Sequence, residues 1–232
     1  MFGIPDTCPV CGDFKMSSSV VCDSCRQELD SECFDSFMSR CPVCMYPKTA
    51  PEYGCRLCSG KARFRVFPVA RYDGPLSYSV LDSFKFHNRK EMAKVVAMYL
   101  GRALEVLDPE GNALIVPVPC SAERLRVFGW DQMTEVCKSL GRPWAKLLAN
   151  NSSGSGSARV QQKKLDRAGR EEHSAGKFSM NSRCRGPMPA KDRKIIVVDD
   201  IVTTMSTMNA AIAVLQENGF TDVDGASWLA EL

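Results

Sequence analysis

From residue 62 onward the chain alternates apolar runs with amphipathic stretches. "ARFRVFPVARYDGP", residues 62–75, predicts a short strand and a turn at Asp73-Gly74-Pro75. Leu76, Val80, Leu81 and Phe84, then Val95, Val96, Tyr99 and Leu100, recur at three- and four-residue intervals, the stripe of helices packed on a core. "ALIVPVP", 113–119, is apolar throughout, as a buried parallel strand would be. "DQMTEVCKSLG", 131–141, predicts a helix closed by Gly141. "KIIVV", 194–198, predicts a strand capped by Asp199 and Asp200; "STMNAAIAVLQEN", 206–218, a helix ended by Gly219; and "DVDGASWLA", 222–230, a returning strand. Strand, loop, helix and strand make a βαβ unit, which implies an α/β fold with a mainly parallel sheet and helices on its faces. Ligands in such sheets sit beyond the carboxyl ends of the strands.

The first 60 residues follow a different rule. Nine of the chain's twelve cysteines lie within residues 1–58. Cys8-Pro-Val-Cys11 is followed after ten residues by Cys22-Asp-Ser-Cys25, and the pattern repeats as Cys41-Pro-Val-Cys44 and Cys55-Arg-Leu-Cys58. Each Cys-x-x-Cys turns two thiolates toward one ion, so two such knuckles complete a tetrahedral zinc site. Redox exchange needs only one dithiol, and four motifs exceed that need. Sequential pairing (8/11 with 22/25, 41/44 with 55/58) is the simplest arrangement; a crossed one stays open. Four thiolates leave no open coordination position, so the two zinc ions are structural. We therefore divide the chain into a head, 1–60, and a body, 61–232, and expect loss of a Cys22 or Cys55 ligand to unsettle the head while sparing 113–232. Cys33 has no partner in this pattern.

Composition narrows the class. A net charge of +3 decides nothing globally, yet residues 159–194 hold eleven Lys/Arg against four Asp/Glu, a stretch suited to phosphates or nucleic acid. A solvated loop would look the same. "ANNSSGSGSA", 149–158, reads as a mobile lid or a linker, the lid being favoured because it stands directly before the basic stretch. No apolar stretch is long enough to span a bilayer, and "MFGIPDTCPV" lacks the features of a signal peptide. The expected location is cytoplasmic.

The chemistry concentrates at 199–207. A helix N-terminus offers free amides and a positive dipole end to a phosphate, and Thr203, Thr204, Ser206 and Thr207 add hydroxyl donors. Asp199 and Asp200 cannot bind phosphate; they suit ribose hydroxyls or magnesium. A ligand with a phosphate, adjacent hydroxyls and a metal-binding tail meets all these demands: phosphoribosyl pyrophosphate. An ATPase would need a Gly-x-x-x-x-Gly-Lys-Ser/Thr loop, which the chain lacks.

With these motifs in order, the chain resembles the ComF family of phosphoribosyltransferase-like proteins over nearly its whole length. "VVDDIVTTMSTMNAAIAVLQENG" resembles the family's phosphoribosyl pyrophosphate loop and following helix, and "IVPVPCSAERLRVFGWDQ" its Val-Pro-Val-Pro segment with two arginines. "QQKKLDRAGREEHSAGKF" matches the family's spacing through Gln162, Leu165, Arg170, His173 (at an asparagine position), Gly176 and Phe178, and "YDGPLSYSVLDSFKFHNRKEMA" matches at Tyr72, Gly74, Lys85 and Phe86. The paired zinc knuckles fit as well. Against the family pattern, Met205 replaces a glycine in the phosphate loop, and Phe128, Asp131 and His173 replace an arginine and two asparagines.

The resemblance implies a type I phosphoribosyltransferase-like sheet flanked by helices, behind a small double zinc-ribbon. It implies a phosphoribosyl transfer enzyme, of the glycosyltransferase class, with an unidentified acceptor. Asp199 and Asp200 would hold the ribose as catalytic residues, and Thr203, Thr204, Met205, Ser206 and Thr207 the 5-phosphate. Ser121, Arg124 and Arg126 would meet the departing pyrophosphate with magnesium. The alternative it implies is handling of single-stranded DNA during DNA uptake and competence, without turnover, alongside a protein partner of the uptake machinery. The 159–194 stretch would then track the strand, with Phe178 as its one aromatic for stacking.

Overall fold

The computed structural model describes residues 7–15, 19–34, 40–48, 55, 58, 64–151, 176–184 and 187–231. The elements run α1 (Asp23–Ser31), β1 (Val66–Arg71), α2 (Pro75–Phe86), α3 (Met92–Leu107), β2 (Leu114–Pro117), α4 (Ala122–Phe128), α5 (Gln132–Ser139), β3 (Leu148–Asn150), β4 (Phe178–Met180), β5 (Ile195–Val202), α6 (Ser206–Glu217) and β6 (Val223–Ala230). Four strands form the central sheet in the order β1-β6-β5-β2, every pair parallel. β3 and β4 make a separate antiparallel pair.

Alternation along β5 explains the layers. Ile196 and Val198 face a core built with α2, α3 and α5, whereas Ile195 and Val197 face one built with α6, as the two-residue period of a strand requires. All eight residues of β6 are buried, which accounts for its near-continuous apolar character. Gly219, at φ +89°, turns the chain out of α6.

The expected parallel α/β body is present, with one shift of boundary. The strand predicted over 194–198 runs on through both acids to Val202. Its longer partner supplies the reason: Asp199 is in register with Ser227, Ile201 with Leu229 and Val202 with Ala230. The aspartates thus stand on the carboxyl-terminal half of a paired strand, not past its end. Residues 152–158 of the expected lid and 159–175 of the basic stretch lie outside the described residues.

The cysteine-rich head does not stand apart. Cys8, Val21, Cys25 and Leu29 belong to the same core cluster as Ile196, Val198 and Trp228, while Phe34, Cys41, Cys44 and Tyr46 share the other with α6. Backbone bonds line the outer edge of β1: Phe34 N–H to Val69 O at 2.9 Å, Arg71 N–H to Glu32 O at 3.1 Å and Val66 N–H to Cys44 O at 2.8 Å. The head therefore covers a sheet edge that would otherwise expose unpaired groups. It also caps α2: the buried Glu32 accepts from Leu76 N–H at 2.9 Å and Ser77 N–H at 2.7 Å. Gly74, the N-cap, leaves room for that carboxylate, because a Cβ there would lie 2.5 Å from it.

Candidate functional site

Two kinds of site arise from the chain, one of sulfur and one of oxygen. In the head, Cys8, Cys11, Cys22 and Cys25 bring their sulfurs within 4.8 Å of one another, and so do Cys41, Cys44, Cys55 and Cys58. The pairing is the sequential one. Neighbouring sulfurs are 3.6 Å apart for Cys11 and Cys22, 3.6 Å for Cys41 and Cys58, and 3.5 Å for Cys44 and Cys55. A tetrahedron with zinc–sulfur bonds of about 2.3 Å has edges of about 3.8 Å, so both sets fit structural zinc, and they are too far apart for disulfides. Cys33 is half-buried and belongs to neither set; Arg102 Nη1 donates to its sulfur at 3.5 Å.

The oxygen site opens at the carboxyl ends of β2 and β5, a cavity of about 350 Å³. Asp199 and Asp200 form part of its lining, joined by Ser121 and Arg124 from one side and by Thr203 and Thr207 from the other. Lys85, Cys120, Gln132, Asn150 and Lys177 add to the polar lining. Beyond Asp199 a smaller recess of about 40 Å³ is lined by residues 201–208, including Thr204, Met205 and Ser206. There the Thr204 and Ser206 hydroxyls are hydrogen-bonded at 2.7 Å. Met205 adopts φ +64°, ψ −7° immediately before α6. This is the left-handed region that favours glycine, so the methionine holds a backbone shape that glycine adopts at less cost.

Charges in the cavity are arranged in pairs. Lys85, at the last turn of α2, reaches Asp200 at 2.8 Å, so the buried carboxylate, only 5% exposed, is met by a cation. The Asp200 amide donates to Asp199 Oδ1 at 2.9 Å. Burial first, and then the Asp200 carboxylate, push Asp199 up to about 7, against the opposing pull of Lys85. Lys177 Nζ donates to Thr207 Oγ1 at 2.9 Å, and burial pulls its pKa down. The Lys85 carbonyl accepts from Arg124 Nη2 and from Gln132 Nε2, each at 3.3 Å. Lys85 is thus the junction between the acids and the opposite wall.

Not every expected residue arrives. Ser121 caps α4, accepting from Arg124 N–H at 3.3 Å, but Arg126 is exposed and does not line the cavity. Residues two apart on a helix do not share a face, a signal available once α4 is read as helical. Asp131 caps α5 through Thr134 N–H at 3.1 Å and lies 3.6 Å from Lys146, so its charge is partly met within the fold. Phe178 lines the cavity yet is only 4% exposed, and offers no open ring for stacking. Gln162, Leu165, Arg170 and His173 lie outside the described residues. The sequence reading matched Lys85 only by resemblance and passed over Lys177 and Gln132, whose roles depend on where α2, β4 and α5 meet.

No protein-family model matches the chain. It is 27% identical over 239 residues to the DNA utilization protein YhgH of Salmonella typhimurium, covering 96% of each. The Escherichia coli K12 protein of the same name is 26% identical over 237 residues, 94% of each. Competence protein ComFC of Bacillus subtilis is 24% identical over 206 residues, 86% of this chain and 79% of that protein. The chain is ComF-like. A solved hypoxanthine phosphoribosyltransferase from Staphylococcus aureus covers 61% of the ComF-like chain at 13% identity, with a TM-score of 0.35. Among the described residues, no helix of the ComF-like chain is long and apolar enough to cross a membrane.

Proposed function

We propose that the chain binds phosphoribosyl pyrophosphate at the end of β5 and transfers its phosphoribosyl group to an acceptor. The observation that carries this reading is the joining of Asp199 and Asp200, in one cavity, to a hydroxyl-rich loop that enters α6 through a left-handed residue. Asp199 accepts from a ribose hydroxyl; Asp200 is held in place by Lys85. The 203–207 loop and the first amides of α6 receive the 5-phosphate. Ser121 and Arg124 face the pyrophosphate, where a fixed guanidinium favours charge as it develops. Magnesium, when bound with the ligand, neutralises part of the pyrophosphate charge. The test is calorimetric titration of phosphoribosyl pyrophosphate with magnesium into wild type and an Asp199→Asn, Asp200→Asn double variant. Affinity should fall at least about tenfold, on the order of 1.4 kcal/mol. Equal affinities would place the ligand elsewhere.

A second reading, handling of single-stranded DNA without turnover, draws on the names of the relatives and on a different surface from the one expected. Phe86 is 63% exposed, Arg124 lies 5.6 Å from its ring centre, and Arg126 is exposed on α4 nearby in sequence. Open aromatic rings beside cations suit a single strand; buried Phe178 does not. Anisotropy with labelled oligothymidylate should lose affinity in Phe86→Ala, and an unchanged curve removes this surface from consideration.

A further inference from the structure

Away from the cleft, a groove of about 550 Å³ runs between the head, α3 and the end of α5. Its floor on α3 is Lys94, Ala97, Met98 and Gly101, positions spaced so that they share one helix face. Val20 of the head and Lys138, Ser139 and Leu140 close the sides.

Gly101 is the odd member. It sits inside a sixteen-residue helix, where glycine is the least favourable residue short of proline. A Cβ there would meet nothing within 4 Å, so among the described residues no packing contact requires its smallness. Ala97 and Gly101 instead keep the floor low, which lets a second backbone approach α3 closely. The lining holds two lysines and no acid; Lys138 is already paired with Glu135 at 2.7 Å, which leaves Lys94 as the cation facing the groove. Arg26, from α1, adds a second cation at the rim, its Nη2 4.0 Å from Met98 Sδ. The lining holds no aromatic side chain either, so nothing there would stack a base.

We propose that this groove docks an amphipathic helix of a partner protein, its apolar anchors over Ala97, Met98 and Leu140 and its acidic flank toward Lys94 and Arg26. Helix-in-groove recognition needs these elements: a low apolar floor and a complementary charged rim.

The probe is a stapled helical peptide with leucines on one face and glutamates beside them, followed by fluorescence anisotropy on the full chain. A peptide with lysines replacing the glutamates is the comparator. The acidic peptide should bind, more weakly as salt rises, and the basic one should not. Gly101→Leu fills the floor and should weaken binding at least about tenfold, and Lys94→Glu several-fold. Gly101→Ala guards against misfolding: with no clash to meet, it should melt higher than wild type and bind less tightly. The proposal is overturned by no binding of the acidic peptide, by equal binding of both peptides, by affinity indifferent to residue 101, or by displacement with oligothymidylate. Binding that survives the Asp199→Asn, Asp200→Asn double variant separates this surface from the cleft.

Discussion

Met205 allows the phosphate-loop reading to be tested by the order of three variants. Its left-handed backbone, φ +64°, costs an L-residue roughly 1–2 kcal/mol, and its half-buried side chain packs against the core that includes α6. Met205→Ala keeps the strain and loses the packing, so it should destabilise by about 1 kcal/mol. Met205→Gly loses the same packing and relieves the strain, at an unfolded-chain cost of roughly 0.5–1 kcal/mol. Glycine should therefore equal or exceed alanine by up to about 1.5 kcal/mol, reversing the usual helical order. Met205→Val, β-branched, should be the least stable of the three. Urea unfolding at fixed protein concentration measures these differences, and titration of phosphoribosyl pyrophosphate with magnesium runs beside it. Met205→Gly should also bind tighter, because removing the side chain frees the backbone amides to close on the phosphate. Alanine more stable than glycine would refute the strain argument. A weaker-binding glycine variant would refute the phosphate cradle.

The other expectations are quicker to state. Metal analysis should return two zinc ions per chain, and Cys22→Ser or Cys55→Ser, expected from spacing alone to unsettle the head and spare 113–232, should instead lower the melting temperature of the whole chain in one transition, because the head shares both cores with the sheet; a second transition left unmoved would contradict this. Asp199 is held near 7, above the ordinary carboxylate range, so its ionisation takes stability from the ligand-free fold as pH rises toward and through 7. Ligand affinity should move the opposite way, gaining about tenfold from about pH 6 to about pH 8 as the acceptor carboxylate forms, and Asp199→Asn should flatten both trends. Gly74→Ala forces the Glu32 carboxylate off the first turn of α2, and a thermal melt should show a loss on the order of 2 kcal/mol.

Legibility followed the range of the interactions. The cysteine knuckles and the β5–α6–β6 unit were readable because spacing and periodicity are local, and Gly219 marked the helix end. Met205 was readable as an anomaly only beside the family pattern, and its φ angle shows the backbone shape behind it. The salt bridge from Lys85 to Asp200 was not legible: it joins residues 115 positions apart through the packing of α2 against the sheet. Arg124 and Arg126 look equivalent in a string, whereas on α4 Arg124 lines the cleft and Arg126 is exposed. Phe178 was counted as a free ring because an isolated aromatic gives no sign of the core that β4 places it in.

Helix α2 ties these regions together. Glu32 of the head grips its first turn, and Lys85 in its last turn holds Asp200. Twelve residues of helix span about 18 Å as a nearly rigid rod. A slackened head would let that rod slide or rotate, and Lys85 would leave its carboxylate. Thermodynamic reciprocity then applies: whatever fastens the far end of the rod at Asp200 also fastens the near end, so occupancy of the cleft should raise the equilibrium affinity of the cysteines for metal.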